Sequence, residues 1–210
     1  MMAGPTTGPT RGMTTQRSGW PVLRTPKWML AGGVVLVAGL VLAAIPHHPS
    51  TSQRASDLRG AVQEFTADIE SCAGGVSESL YALQQIQSGA AHDVKDAVTI
   101  ATSGAANCSP ANSMPMDDLV QYQPPSSLAS FHLDVTANDL VTWGFPDAQR
   151  VQTDVATILT ASTPSATSAA TAQLHRDEQA LNAERTTIDN MINTASKALS
   201  ARVSPPSLPG

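Results

Sequence analysis

The chain has 210 residues and a net charge of −5; it is 41% hydrophobic but only 14% charged and 4% aromatic, where an average globular protein is roughly 25% charged. That leaves room for one domain with appendages, and its Ala, Ser and Thr content favours a core of close-packed helices with few large side chains to line a deep pocket. Residues 1–27 hold Arg11, Arg17, Arg24 and Lys27 and no acid, whereas eight basic against 17 acidic residues beyond Pro46 leave that part at −9, which excludes nucleic acid as a partner because gripping phosphates takes clustered Lys and Arg.

Residues 1–27 are rich in Gly, Pro and Thr without a period, and are expected to form a disordered basic cytoplasmic tail. In residues 28–45, "WMLAGGVVLVAGLVLAAI", the 17 positions from Met29 onward are uncharged and mostly aliphatic. As a helix they extend about 25 Å, a short transmembrane anchor. The basic flank precedes this segment and the acidic bulk follows it. The positive-inside rule then places the N-terminus in the cytoplasm and the C-terminal domain outside, in the bacterial envelope, with Trp20 and Trp28 at the inner interface. A competing reading is a signal cleaved after the small residues of Val41-Leu42-Ala43, giving a secreted domain. An apolar stretch of this length behind so long a basic segment favours the uncleaved anchor. Gly39 and Ala43 form a small-xxx-small pair through which two anchors would pack as a homodimer. Residues 46–52 read as a linker.

The first helix of the external domain carries Leu58, Val62, Phe65, Ile69, Cys72, Val76, Leu83 and Ile86 at steps of mostly three and four, a face directed at partner helices. Ser88-Gly89 ends it and Asp93 opens the next, which repeats the stripe with Val94, Val98, Ala101, Ala105 and Cys108. In an antiparallel hairpin, residues equally far from the turn face each other. The midpoint of 72 and 108 is 90, inside the loop, so the two thiols should meet. With no other cysteine in the chain and an oxidising compartment outside the membrane, a Cys72–Cys108 disulfide is expected. Metal binding would need more Cys or His at short spacing. Gly74 and Gly75 would let the facing helix approach near the bridge or mark a slight bend.

A polar, proline-bearing crossover follows, within which Asp117-Asp118 begins a short helix with Leu119 and Val120. The third long helix starts at Ser126 or Ser127 as cap, with Leu128, Phe131 and Val135 beside Leu133, Ala137, Leu140 and Val141. It is broken near Gly144, in "TWGFPDAQRV", where Pro146-Asp147 looks like a fresh first turn, and continues through Val151, Val155, Ile158 and Leu159. The last helix spans about residues 165–202, with Leu174, Leu181, Ile188 and Ala195 one heptad apart and Ile192 and Leu199 beside them. No strand-like alternation competes. The fold class is therefore all-α: a single N-terminal transmembrane helix followed by an extracytoplasmic antiparallel four-helix bundle over residues 53–202, ending in a disordered C-terminus, 203–210.

No GxSxG, HExxH, P-loop or dinucleotide fingerprint is present, and no metal or cofactor is expected. His47 and His48 fall in the linker. His92 with Asp96, His132 with Asp134 and His175 with Glu178 are single turns on polar faces, without the Glu-x-x-His sets a di-metal bundle needs. Acid pairs such as Asp117-Asp118 and Asp177-Glu178 are adjacent rather than set across a cleft, so no catalytic residue is assigned. Trp143 and Phe145 concentrate scarce aromatic surface at a helix break and are the partner-binding candidates if exposed; buried, they would plug the end of the bundle. The expected function is a membrane-tethered interaction or scaffold domain without catalytic activity that meets an envelope protein partner. The alternative is a sensory or small-ligand-binding ectodomain, which would act through a separate protein because about 27 cytoplasmic residues cannot hold an output domain.

Overall fold

The computed structural model describes residues 49–209. The expected cytoplasmic tail, the membrane segment 28–45 and the first linker residues lie outside the described residues. Among the described residues all regular structure is helical, and no helix is long and apolar enough to cross a membrane.

Helix α1, Thr51–Gln87, starts two residues before the expected boundary because Ser50 caps it, its hydroxyl accepting from the Gln53 N–H at 3.1 Å. It ends at Ser88, followed by Gly89 at φ 74, a backbone conformation that glycine adopts without steric cost. Its inward face is the one read from the sequence: Leu58, Val62, Phe65, Ile69, Cys72, Val76 and Leu83 are all buried. Helix α2, Val94–Asn107, begins where Asp93 accepts from the Asp96 N–H at 2.9 Å. Residues 72 and 108 approach each other, as do 75 and 104. Each pair is centred near residue 90, so α1 and α2 form an antiparallel hairpin.

The crossover is more structured than its polar composition suggests. Helix α3, Met114–Val120, has Pro115 in its first turn and packs on α1 through buried Met116 and Leu119. A 3-10 turn, Ser126–Phe131, then precedes His132, whose φ of 51 lies in the left-handed region, and α4, Leu133–Thr142, starts only after it. The expected single helix from Ser126 is thus interrupted at His132, which resets the helical phase. Leu128 is buried from the turn, and Leu133, Ala137 and Leu140 from α4, while Val135 is left outside. Arg54 holds the turn in place, donating to the Ser127 carbonyl at 2.9 Å and the Ser130 hydroxyl at 3.1 Å, with its guanidinium 5.2 Å from the Phe131 ring centre.

The break expected near Gly144 falls one residue on. Trp143–Ala148 forms a wide π-type turn in which Phe145 is extended (φ −136, ψ 113) before a cis peptide to Pro146. The physical cause is the proline ring, which disfavours helical geometry in the residue before it. Helix α5, Gln149–Thr160, resumes beyond. Helix α6, Pro164–Leu199, is capped by the Thr163 hydroxyl, which accepts from the Ala166 N–H at 3.2 Å. It buries the expected heptad, Leu174, Leu181, Ile188 and Ala195, with Ile192 and Leu199. Helix α2 packs between α1 and α5, α5 packs on α6, and α6 returns to α1; α4 sits between α3 and α6.

Residues 203–210, expected to be a disordered end, are instead placed on the helices as far as they are described. Ala201, Pro206 and Leu208 are buried, the Val203 N–H donates to the Ser196 hydroxyl at 3.0 Å, and Arg185 donates to the Leu208 carbonyl at 3.3 Å. Apolar residues alternating with proline and serine supply a strap that costs little ordering entropy, because proline restricts the free chain as well.

Candidate functional site

Cys72 and Cys108 are joined by a disulfide with their Cα atoms 4.7 Å apart, and both are fully buried. One turn along, the helices touch backbone to backbone. A Cβ added to Gly75 would lie 2.8 Å from the Gly104 Cα and 3.1 Å from Gln152 Oε1, and one added to Gly104 would overlap that same oxygen. Gly75 therefore does what the sequence suggested for the glycine pair, whereas Gly74 has nothing within 4 Å of a would-be Cβ and plays no part in the approach. Gln152, delivered by α5 and fully buried, donates through Nε2 to the Cys108 sulfur at 3.1 Å and to the Ala148 carbonyl at 3.3 Å. The Ser79 hydroxyl donates to the Gly75 carbonyl at 2.6 Å, with Gln152 Oε1 at 3.5 Å. Three helices are thus pinned at one point by a covalent bond, two absent side chains and one satisfied amide. Gly104 and Gln152 escaped the sequence reading, although 75 and 104 obey the register already implied by 72 and 108.

The two aromatic candidates part company. Trp143 is fully buried in the core and its indole Nε1 has no hydrogen-bond partner among the described residues, while Phe145, on the extended residue, is 42% exposed. The backbone at the break turns one ring in and the other out, so only Phe145 presents a surface. Truncating Trp143 to Ala should cost about 3 to 5 kcal/mol, a fall of roughly 10 °C in the thermal midpoint. Phe145→Ala should leave the midpoint nearly unchanged, and differential scanning fluorimetry on the two variants checks both.

A third constellation was not legible as a sequence spacing. Arg150 pairs with Asp147 on its own helical turn and reaches Asp177 of α6 with Nε at 3.5 Å; Gln173 donates to the other oxygen of Asp177 at 2.8 Å. Asp154 lies against this group, with Oδ2 buried and unpartnered among the described residues. Burial first, then the neighbouring Asp177 carboxylate, push its carboxyl up to about 6, against the lowering pull of Arg150 and Arg176. The Asp147 carboxyl is also raised, by burial first, against the lowering pull of Arg150 and with a smaller push from Asp177. A carboxyl that holds its proton more tightly folded than unfolded makes stability fall as pH rises between about 4 and about 6. Asp154→Asn should therefore raise the midpoint at pH 8 by roughly 2 to 4 °C, corresponding to about 1 kcal/mol after discounting for solvent screening. At pH 4 it should change little, and melts at the two pH values check the sign.

The remaining polar groups do not converge on a reaction. His92, His132 and His175 are exposed, and only His175 meets a carboxylate, Glu178 at 3.2 Å; His47 and His48 lie outside the described residues. No set of three metal-ligating side chains occurs among the described residues. An open recess of about 510 Å³ beside α1 is lined by Asp57, Glu64, Asp68, Asp118 and Tyr122. Burial and the Glu64 charge push the Tyr122 hydroxyl up to about 12; burial, then Glu64 and Asp118, raise the Asp68 carboxyl.

Fold and site together define an all-helical domain closed by one internal disulfide. No known protein family, characterised protein or solved structure matches the chain.

Proposed function

We propose that the chain is a membrane-tethered, extracytoplasmic interaction domain without catalytic activity, anchored by residues 28–45 with its N-terminus in the cytoplasm. The observation that carries this reading is the buried Cys72–Cys108 bridge, because structural disulfides persist on the oxidising side of a membrane. The charge asymmetry points the same way: four basic and no acidic residues precede the apolar segment, and all 17 acids follow it. The ring of packed neighbours α1, α2, α5 and α6, with α4 leading into α5 across the Phe145-Pro146 break, is best described as an antiparallel four-helix bundle with an interrupted third member. Such a bundle holds its surface rigid, and Phe145 is an aromatic anchor left uncovered on it.

Crosslinking in intact cells with a tagged full-length chain, followed by mass spectrometry, tests this. Repeated capture of one envelope protein through residues of the helical domain is the expected result. Capture of nothing would shift the account to a ligand-binding ectodomain, which thermal stabilisation of a dialysed sample by a small molecule or metal would then support. A hydrolytic or redox activity abolished by one point mutation would overturn it.

A further inference from the structure

We infer that the outer groove between α1 and α2 docks a basic, amphipathic helix of a partner protein; the inference rests on the interaction reading above and names the surface and the chemistry of its partner. Two open recesses of about 440 and 260 Å³ lie along this face and share Glu78 and Ile100, so they form one continuous groove. From Ser71 to Ile86 on the α1 side it runs about 22 Å, four turns of a docked helix with room for anchors at i, i+3 or i+4 and i+7. At one end the walls are small, Gly74, Gly75 and Gly104 with Ser71 and Ser103, which lets a second backbone come close. At the other the floor is apolar, made by Ala82, Ile86, Ala97 and Ile100 under the ring of Tyr81, which is 63% exposed.

Charge selects the occupant. Glu78, Asp93 and Asp96 line the apolar end and no basic side chain does. A second copy of this chain would set those carboxylates against themselves, whereas a helix with Lys or Arg flanking its apolar stripe satisfies them. Gly74 adds an independent mark. An exposed glycine in a helix interior costs roughly 1 kcal/mol against alanine, yet nothing in the fold requires this one, since a Cβ there meets no atom within 4 Å. Its missing side chain leaves one wall of the groove open.

The test places a photoreactive phenylalanine analogue at Tyr81, and in a second variant at Phe145, in the full-length protein in intact cells, and maps the crosslinked peptide by mass spectrometry. The expected result is attachment from position 81 to a segment of another protein that carries net positive charge and apolar residues at helical spacing. Filling the groove by Gly74→Leu or Ser103→Trp should lower that yield at least tenfold without lowering the thermal midpoint. Attachment to a second copy of this chain, to an acidic or uncharged segment, or a yield indifferent to the filled groove would overturn the inference. Capture from position 145 but none from 81 would remove the groove and leave the interaction reading standing; silence from both would remove the two together.

Discussion

Loss of the Cys72–Cys108 bridge is expected to lower the thermal midpoint by roughly 10 °C, about as much as truncation of the buried Trp143. The bridge closes a separation of 36 residues, and removing that constraint from the unfolded chain costs about 3 to 4 kcal/mol by the chain-entropy argument. For a domain of this size each kcal/mol corresponds to roughly 2 to 4 °C. A second loss accompanies it in Cys72→Ala/Cys108→Ala: the Gln152 amide, fully buried, is left without its sulfur acceptor and keeps only the Ala148 carbonyl. Scanning calorimetry with and without reductant checks this. The native chain should respond to reductant, the alanine pair should not, and the midpoint of the alanine pair should lie at or slightly below that of the reduced native chain.

Adjacent glycines are expected to respond to the same substitution with opposite signs. Gly75→Ala drives a methyl into the Gly104 backbone and toward the Gln152 oxygen. Neither can yield: one is main chain and the other belongs to an amide fixed at the bridge. Overpacking of this kind costs about 1 to 3 kcal/mol, and here it also pushes apart two helices that the disulfide holds together. Gly74→Ala meets open space and should stabilise by roughly 0.5 to 1 kcal/mol through helix propensity alone. Urea titrations of the two variants, compared at constant slope, should therefore separate them by about 1.5 to 4 kcal/mol.

The long helices and their inward faces were legible because they rest on periodicity, which survives without knowledge of neighbours. The stripe of α1 from Leu58 to Leu83 and the heptad of α6 are buried as read, whereas Ile86 at the end of α1 is half-buried and Val94, expected on the stripe of α2, is 38% exposed. The disulfide was legible for a related reason: a hairpin with a marked turn turns sequence distance into spatial register. Periodicity failed where a single residue changes the backbone. His132 in the left-handed region splits the expected third helix early, and nothing in its residue type demands that. At Phe145 the proline does demand an extended residue, but not which of the two aromatic rings ends up outside. The C-terminal strap was misread because proline and serine in an end segment suggest solvent, and the hydrogen bonds that hold it come from Ser196 and Arg185 on α6. The Asp147, Arg150, Asp154 and Asp177 group was beyond sequence reading altogether, since its members join only when α5 packs on α6. The continuous α1–α2 groove likewise depends on which glycines the packing leaves uncovered.

The measurement that bears most directly on the account is the thiol state of the chain in living cells: rapid acid quenching, alkylation with a maleimide under denaturing conditions, and intact-mass analysis of the full-length protein. The expected mass retains residues 1–45 and carries no maleimide, with two additions appearing only after reduction. Two maleimides before reduction would contradict it, because a domain whose cysteines remain free in the cell does not reside on the oxidising side of a membrane.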